Sequence, residues 1–259
     1  MPDAFFVPLG PDRFRATELT QGPWAPGLQH AGPAAALLGR AVEGLGDRDD
    51  LAVARATFEI ARPLPIAELA VAARLLRGGR SVELVEATLS AGEAEVMRAT
   101  ALRVRRAELE LPGGLVPPPR LPGPDAGRAA PFFPTGQDVG YHTAMEVRFV
   151  AGSFLEEGPA TAWMRMRHPL VPGEAPSPLC RVLAAADSGN GVSAALDYRR
   201  WRFITPDLTV YLLRPAAGEW VALEAATTVA DGIGLADTTL HDEQGPIGRA
   251  TQALFVDRR

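Results

Sequence analysis

The stretch "RATQALFVDRR" (249–259) has a near copy in the middle of the chain, "RATALRVRR" (98–106). Working outward from these two segments, the same sequence of events precedes each. A strand-like run ending in Arg-Pro comes first, "ATFEIARP" (56–63) in one half and "LTVYLLRP" (208–215) in the other. Arg62 and Arg98 are 36 positions apart, and Arg214 and Arg249 are 35 apart, so the spacing is kept as well as the wording. Before each Arg-Pro strand lies a stretch of small apolar residues, "HAGPAAALLGRAVEGLG" (30–46) and "SPLCRVLAAADSGNG" (177–191). Pro33 and Pro178 sit where the first helical turn tolerates proline, and Gly46 and Gly189 are expected as left-handed stops. A helix that is apolar on nearly every side is a buried helix. Three strand-like runs follow each Arg-Pro, joined by turns such as "RGGR" (77–80) and "DEQG" (242–245). The pattern is duplication within one chain: twice, a buried helix and then a long antiparallel meander.

The halves are separated by "ELPGGLVPPPRLPGPDAGRAAPFFPTGQ" (110–137), whose prolines and glycines can sustain neither helix nor sheet interior. This gives a first unit over 1–109, a linker over 110–138 and a second unit over 139–259. At 259 residues and 47% hydrophobic, the chain can bury a core in each unit. A formal net charge of -5 excludes the basic footprint that nucleic acid requires. The single Cys180 excludes an internal disulfide and any multi-cysteine metal site, and no metal or cofactor is expected. No apolar run is long enough to span a bilayer, and the opening "MPDAFFVPLGPDRF" lacks a secretory signal's basic start, so a cytoplasmic protein without membrane partners is expected.

The segments "QHAGPAAALLGRA", "FEIARPLP", "AAADSGNG", "DLTVYLLRP", "GEWVALEAATT" and "GPIGRATQALFV" succeed one another in an order that resembles the acyl-CoA thioesterase II-like family. The resemblance spans roughly residues 15 to 259. It implies an α+β double hot-dog fold, in which each antiparallel sheet wraps a central helix, and an acyl-CoA thioester hydrolase. It also implies a homodimer or higher homo-oligomer, since exposed sheet edges of such units tend to pair.

Three polar residues appear only in the second half. A strand period of two puts Ala250, Gln252, Leu254 and Val256 on one inward face that is apolar except for the amide. Gln252 therefore reads either as a core amide bonded to backbone or as a site residue, and its counterpart in the first half is Ala101 or a gap. Asp187 ends the apolar run "RVLAAAD", where its own helix presents a negative end. It reads either as the turn residue opening "DSGNG" or as a functional carboxylate. Thr205, in "FITPDLTVYLL", is a turn threonine before proline or a third member of the set. The family resemblance implies that Asp187, Thr205 and Gln252 are catalytic. Asp187 would be the general base for a water that Thr205 and Gln252 hold. No G-x-S-x-G elbow offers a nucleophile instead.

Two alternatives share the fold. A dehydratase or hydratase would pair His30 of the first half with Asp187 of the second, although the family pattern of glycine four residues after the histidine is broken here by Ala34. A non-catalytic acyl-CoA binding module would assign Asp187 and Gln252 to structural hydrogen bonds. Arg199, Arg200 and Arg202, in "YRRWRF" (198–203), are candidates to meet CoA phosphates or simply water.

Overall fold

The computed structural model describes residues 3–110 and 120–259. Within the first half, two short strands, Phe6–Gly10 (β1) and Arg13–Ala16 (β2), precede the helix Ala31–Glu43 (α1). Four long strands follow: Leu51–Ile60 (β3), Glu68–Arg77 (β4), Val82–Ala91 (β5) and Ala94–Arg105 (β6). The second half opens with a helical turn, Tyr141–Ala144 (α2), then Met145–Ala151 (β7) and Ala160–Met166 (β8). Its central helix is Pro178–Ala186 (α3), followed by a second turn, Gly189–Val192 (α4). The chain ends in Trp201–Ile204 (β9), Asp207–Leu212 (β10), Val221–Ala230 (β11), Ile233–Asp242 (β12) and Gly245–Arg258 (β13).

All strand pairs are antiparallel, and they form one sheet that crosses from half to half where β3 pairs β10. Outward from that junction the order is β3, β6, β5, β4, β2, β1 on one side and β10, β13, β12, β11, β8, β7 on the other. The two lists are the same list, shifted by one copy of the repeat. Register fixes the equivalence residue by residue. Thr57 faces Thr209 across the junction, Thr57 also faces Thr100, and Thr209 also faces Thr251. Thr100 and Thr251 are thus equivalent, and the next residues along, Ala101 and Gln252, are counterparts.

The strands ahead of each helix carry weak sequence signals. β1 contains Pro8, and β8 is buried along nearly its whole length, so it shows no alternation. Between the halves, the described residues 120–138 contain only a 3-10 turn at Pro124–Ala126 and a single bridge from Arg128 to Phe149. Trp163 Nε1 donates to the Pro122 carbonyl at 2.8 Å, which fastens this segment to β8. The remainder of the proline-rich stretch, 111–119, lies outside the described residues.

The helices α1 and α3 pack on one another in opposite directions, with Gly32 beside Ala184 at one end and Glu43 bonded to Ser177 at the other. Their small residues are the reason they can. A methyl group on Gly32 would stand 2.3 Å from the Ala184 carbonyl oxygen, so only glycine permits this approach. Gly46 takes the expected left-handed φ, but Gly189 does not end a helix. It opens α4, and its missing side chain leaves room for Thr238 and Gln252, which a Cβ would meet at 2.6 and 3.0 Å.

Candidate active site

Antiparallel packing of the central helices delivers the C-terminal end of α3 to the N-terminal end of α1. Asp187, the residue that closes α3, is therefore held against the first turn of the other half's helix. This resolves the electrostatic oddity of a carboxylate at a helix C-terminus, because the positive end of α1 faces it. The Asp187 side chain is only 7% exposed. Burial pushes its pKa up to about 7, while the amides of Gly32 and Ala31 and the side chain of Gln252 pull the other way.

Two side chains touch this carboxylate. Gln252 Nε2 donates to Asp187 Oδ1 at 3.0 Å and to the Asp187 carbonyl at 3.1 Å, and its Oε1 accepts from the Asn190 amide at 3.3 Å. Gln252 is 1% exposed, and its amide is spent on the turn that carries Asp187. On the other oxygen, His30 Nδ1 lies 3.0 Å from Asp187 Oδ2. His30 is the N-cap of α1, and the same nitrogen lies 3.1 Å from the Gly32 amide. Two acceptor atoms at such a distance need a proton between them. With Asp187 ionised the proton is on His30 Nδ1; with Asp187 protonated it is the carboxyl's own, and the Gly32 amide serves whichever atom is left as acceptor. Burial drives the His30 pKa down to about 3, so the imidazole is neutral.

The imidazole is clamped from behind. Its ring stacks on Tyr141 with centroids 3.8 Å apart and planes 7° from parallel. Tyr141 donates its hydroxyl proton to the Ala184 carbonyl at 2.7 Å, and Ser188 Oγ, 2.9 Å away, donates to the phenol oxygen. Histidine, tyrosine and aspartate come from α1, α2 and α3 and meet at one point.

Asp187 opens onto a cavity of about 660 Å³. Its apolar wall includes Trp24, Phe132, Phe133, Phe154 and Met164, and Thr205 lines it too. Thr205 is half-buried at the link from β9 to β10, and among the described residues no hydrogen bond joins it to Asp187 or Gln252. The structure thus places Asp187, Gln252 and His30 in direct contact and puts Thr205 on the shared cavity. Cys180, buried in α3, has its thiol pushed up to about 12 by burial, so it offers no thiolate. Phe132 and Phe133, from the segment between the halves, are wall residues that composition alone does not reveal. Their signal was only the pair of adjacent aromatics in a stretch rich in proline and glycine.

Two helix-centred antiparallel units that share one sheet define a double hot-dog protein. The chain belongs to the acyl-CoA thioesterase family: the model of the acyl-CoA thioesterase C-terminal domain matches residues 124–256, and that of the N-terminal domain matches residues 20–104. No curated protein matches the chain. Among solved structures it is similar to a Thermobifida fusca YX protein assigned to thioesterase II, at 20% identity and TM-score 0.78, over 99% of this chain and 96% of that one. A hot-dog protein of unknown function from Alicyclobacillus acidocaldarius gives 19% identity and TM-score 0.76, over 98% and 97%. The acyl-CoA thioesterase II TesB2 of Mycobacterium marinum gives 14% and 0.66, over 98% and 96%. At these identities the likeness speaks for the fold.

Proposed function

We propose that the protein hydrolyses acyl-CoA thioesters to free acid and CoA by direct attack of water. The observation that carries this reading is a buried carboxylate, held by Gln252 of its own half and by the first turn of the other half's helix, at the edge of an apolar cavity. A thioester carbonyl is electrophilic enough for water once a base takes the proton. In the proposed step Asp187 accepts that proton as the water oxygen bonds to the thioester carbon. The tetrahedral intermediate then collapses and expels the CoA thiolate, which takes up a proton. Gln252, with both amide donors turned to Asp187, is assigned as a positioning residue that aims the carboxylate. Thr205, on the cavity wall, is assigned to the water itself. His30 is assigned to hold the second carboxylate oxygen and to share its proton.

The contact between His30 and Asp187 also favours a second reading, hydration of an enoyl-CoA by a histidine and aspartate from opposite halves. In that reading both side chains must be turned to the substrate, whereas here they are turned to each other. Thiol release measured over a series of acyl-CoA chain lengths tests the hydrolase. If folded protein frees no CoA from any of them while hydrating enoyl-CoA, the hydratase reading replaces it.

A further inference from the structure

Two carboxamides on the cavity lining leave an oxygen without a partner: Gln29, one residue ahead of the N-cap of α1, and Asn190 in α4. Both residues are nearly enclosed, each only 6% exposed. A buried acceptor left unpaired costs stability, so each needs a reason to persist. The two differ in what they still offer. Gln29 Nε2 donates to the Pro65 carbonyl at 2.6 Å, which fixes that amide and turns an acceptor loose. Asn190 makes no side-chain hydrogen bond among the described residues. Its Oδ1 is enclosed, and its Nδ2 is the open end, a donor that the fold leaves uncommitted. Asn190 also stands close to the acid. The Gln252 carboxamide joins them, accepting from the Asn190 amide at 3.3 Å through Oε1 and donating to Asp187 Oδ1 at 3.0 Å through Nε2.

A tetrahedral oxyanion needs donors aimed where its charge develops, and the first-turn amides of a helix are a ready source. Here they are committed. The amides of Ala31 and Gly32 serve Asp187, the Tyr141 amide donates to the Gln21 carbonyl at 2.9 Å, and the Gly140 amide to Thr143 Oγ1 at 3.1 Å. We propose that Asn190 Nδ2 donates to the thioester carbonyl oxygen and stabilises the oxyanion formed when water adds. This deepens the thioester-hydrolase reading and rests on it. As the water oxygen bonds to the carbonyl carbon and its proton passes to Asp187, the carbonyl π pair moves onto the oxygen that Asn190 holds. The pair returns when the carbon–sulfur bond breaks and sulfur leaves with its electrons as thiolate. An amide satisfied by the fold would have no donor left for this oxygen, which gives the unpaired side chain of Asn190 its reason.

Calorimetric binding and steady-state kinetics on the intact protein test this together. The binding probes are two inert CoA thioethers, one with a ketone next to the S-methylene and one with a methylene in its place. Wild-type protein is expected to bind the ketone about tenfold more tightly; Asn190→Ala and Asn190→Leu should erase that preference and bind the plain thioether as before. In turnover on an acyl-CoA, both variants should lose on the order of 10²–10³ in kcat with KM little changed. Stability separates this role from that of a structural asparagine. Asn190→Leu fills the space without an orphaned acceptor, so its Tm should equal or exceed that of the wild type. A ketone preference or a wild-type kcat surviving in the folded variants would overturn the inference, as would unfolding of both variants. So would a wild type that binds the two thioethers equally, even where it hydrolyses acyl-CoA. If the wild type frees no CoA from any acyl-CoA yet prefers the ketone in a way that depends on Asn190, the hydrolase reading fails and the carbonyl site stands.

Discussion

His30 and Asp187 are 157 positions apart in sequence and approach to 3.0 Å, one at the start of the first half's helix and the other at the end of the second half's. The site is therefore built across the repeat, from elements that neither half can supply alone.

Removing the proposed base is expected to act on rate more than on binding. Asp187→Asn keeps the shape and most hydrogen bonds but cannot take a proton, so kcat should fall by on the order of 10²–10⁴ with KM little moved. Gln252→Ala should cost kcat less, on the order of tenfold or more, because the carboxylate stays but loses its aim. Steady-state kinetics on one acyl-CoA checks both; a fully active, folded Asp187→Asn protein would refute the mechanism.

The pH dependence follows from the protonation of the pair. As the proposed base, Asp187 must be ionised to act, and burial raises its pKa to about 7. The kcat should rise with pH through about 7 and level off above, a midpoint that belongs to the Asp187–His30 pair and not to either residue. His30→Ala should displace that midpoint and lower kcat, whereas a profile identical to wild type would show that His30 is only a helix cap.

Stability should move in the opposite direction. A carboxyl whose folded pKa lies above its unfolded one stabilises the protein fully below the unfolded value, about 4, and that contribution is lost as pH rises through about 7. At pH 8 the native state buries a charge, and Asp187→Asn removes it. Thermal unfolding should place the variant several degrees above wild type at pH 8, with the gap closing or reversing at pH 5. A variant less stable than wild type at pH 8 would contradict the burial cost.

Packing of the two helices can be tested through one methyl group. Gly32→Ala would bring a Cβ to 2.3 Å from the Ala184 carbonyl oxygen, which is backbone and cannot rotate away. The helices must separate, with a cost of about 1–3 kcal/mol and a displaced Asp187, so both Tm and kcat should fall. Wild-type values for both would mean that the helices are not so closely apposed.

The parts of this architecture that repeat were readable from the sequence, since the helix at 31–43 and the strand at 245–258 each announce themselves by burial pattern and by their copy. The inward face of Ala250, Gln252, Leu254 and Val256 is buried in the structure as a period of two requires. What the sequence could not supply was contact across the repeat. Nothing in the spacing of His30 reveals that α1 runs opposite to α3, and its pairing with Asp187 was reached only through the hydratase alternative, not from the geometry of the repeat. Thr205 was placed by resemblance alone, and the fold brings it to the cavity wall without a bond to the other two. Phe132 and Phe133 were hidden for another reason: proline content reports on backbone freedom and is silent on what neighbouring rings cover.

The equivalence of Ala101 and Gln252 bears on how such a molecule could have arisen. Were the two units separate, identical chains, any residue kept for the chemistry in one would be kept in both, and any loss would strike both. Joining them in one polypeptide removes that symmetry of inheritance. One copy of each position is then free to drift toward a plain methyl group while its twin stays under selection. In this fold the first unit supplies the helix end against which the second unit's acid is set, and an amide at position 101 is not needed for that contact.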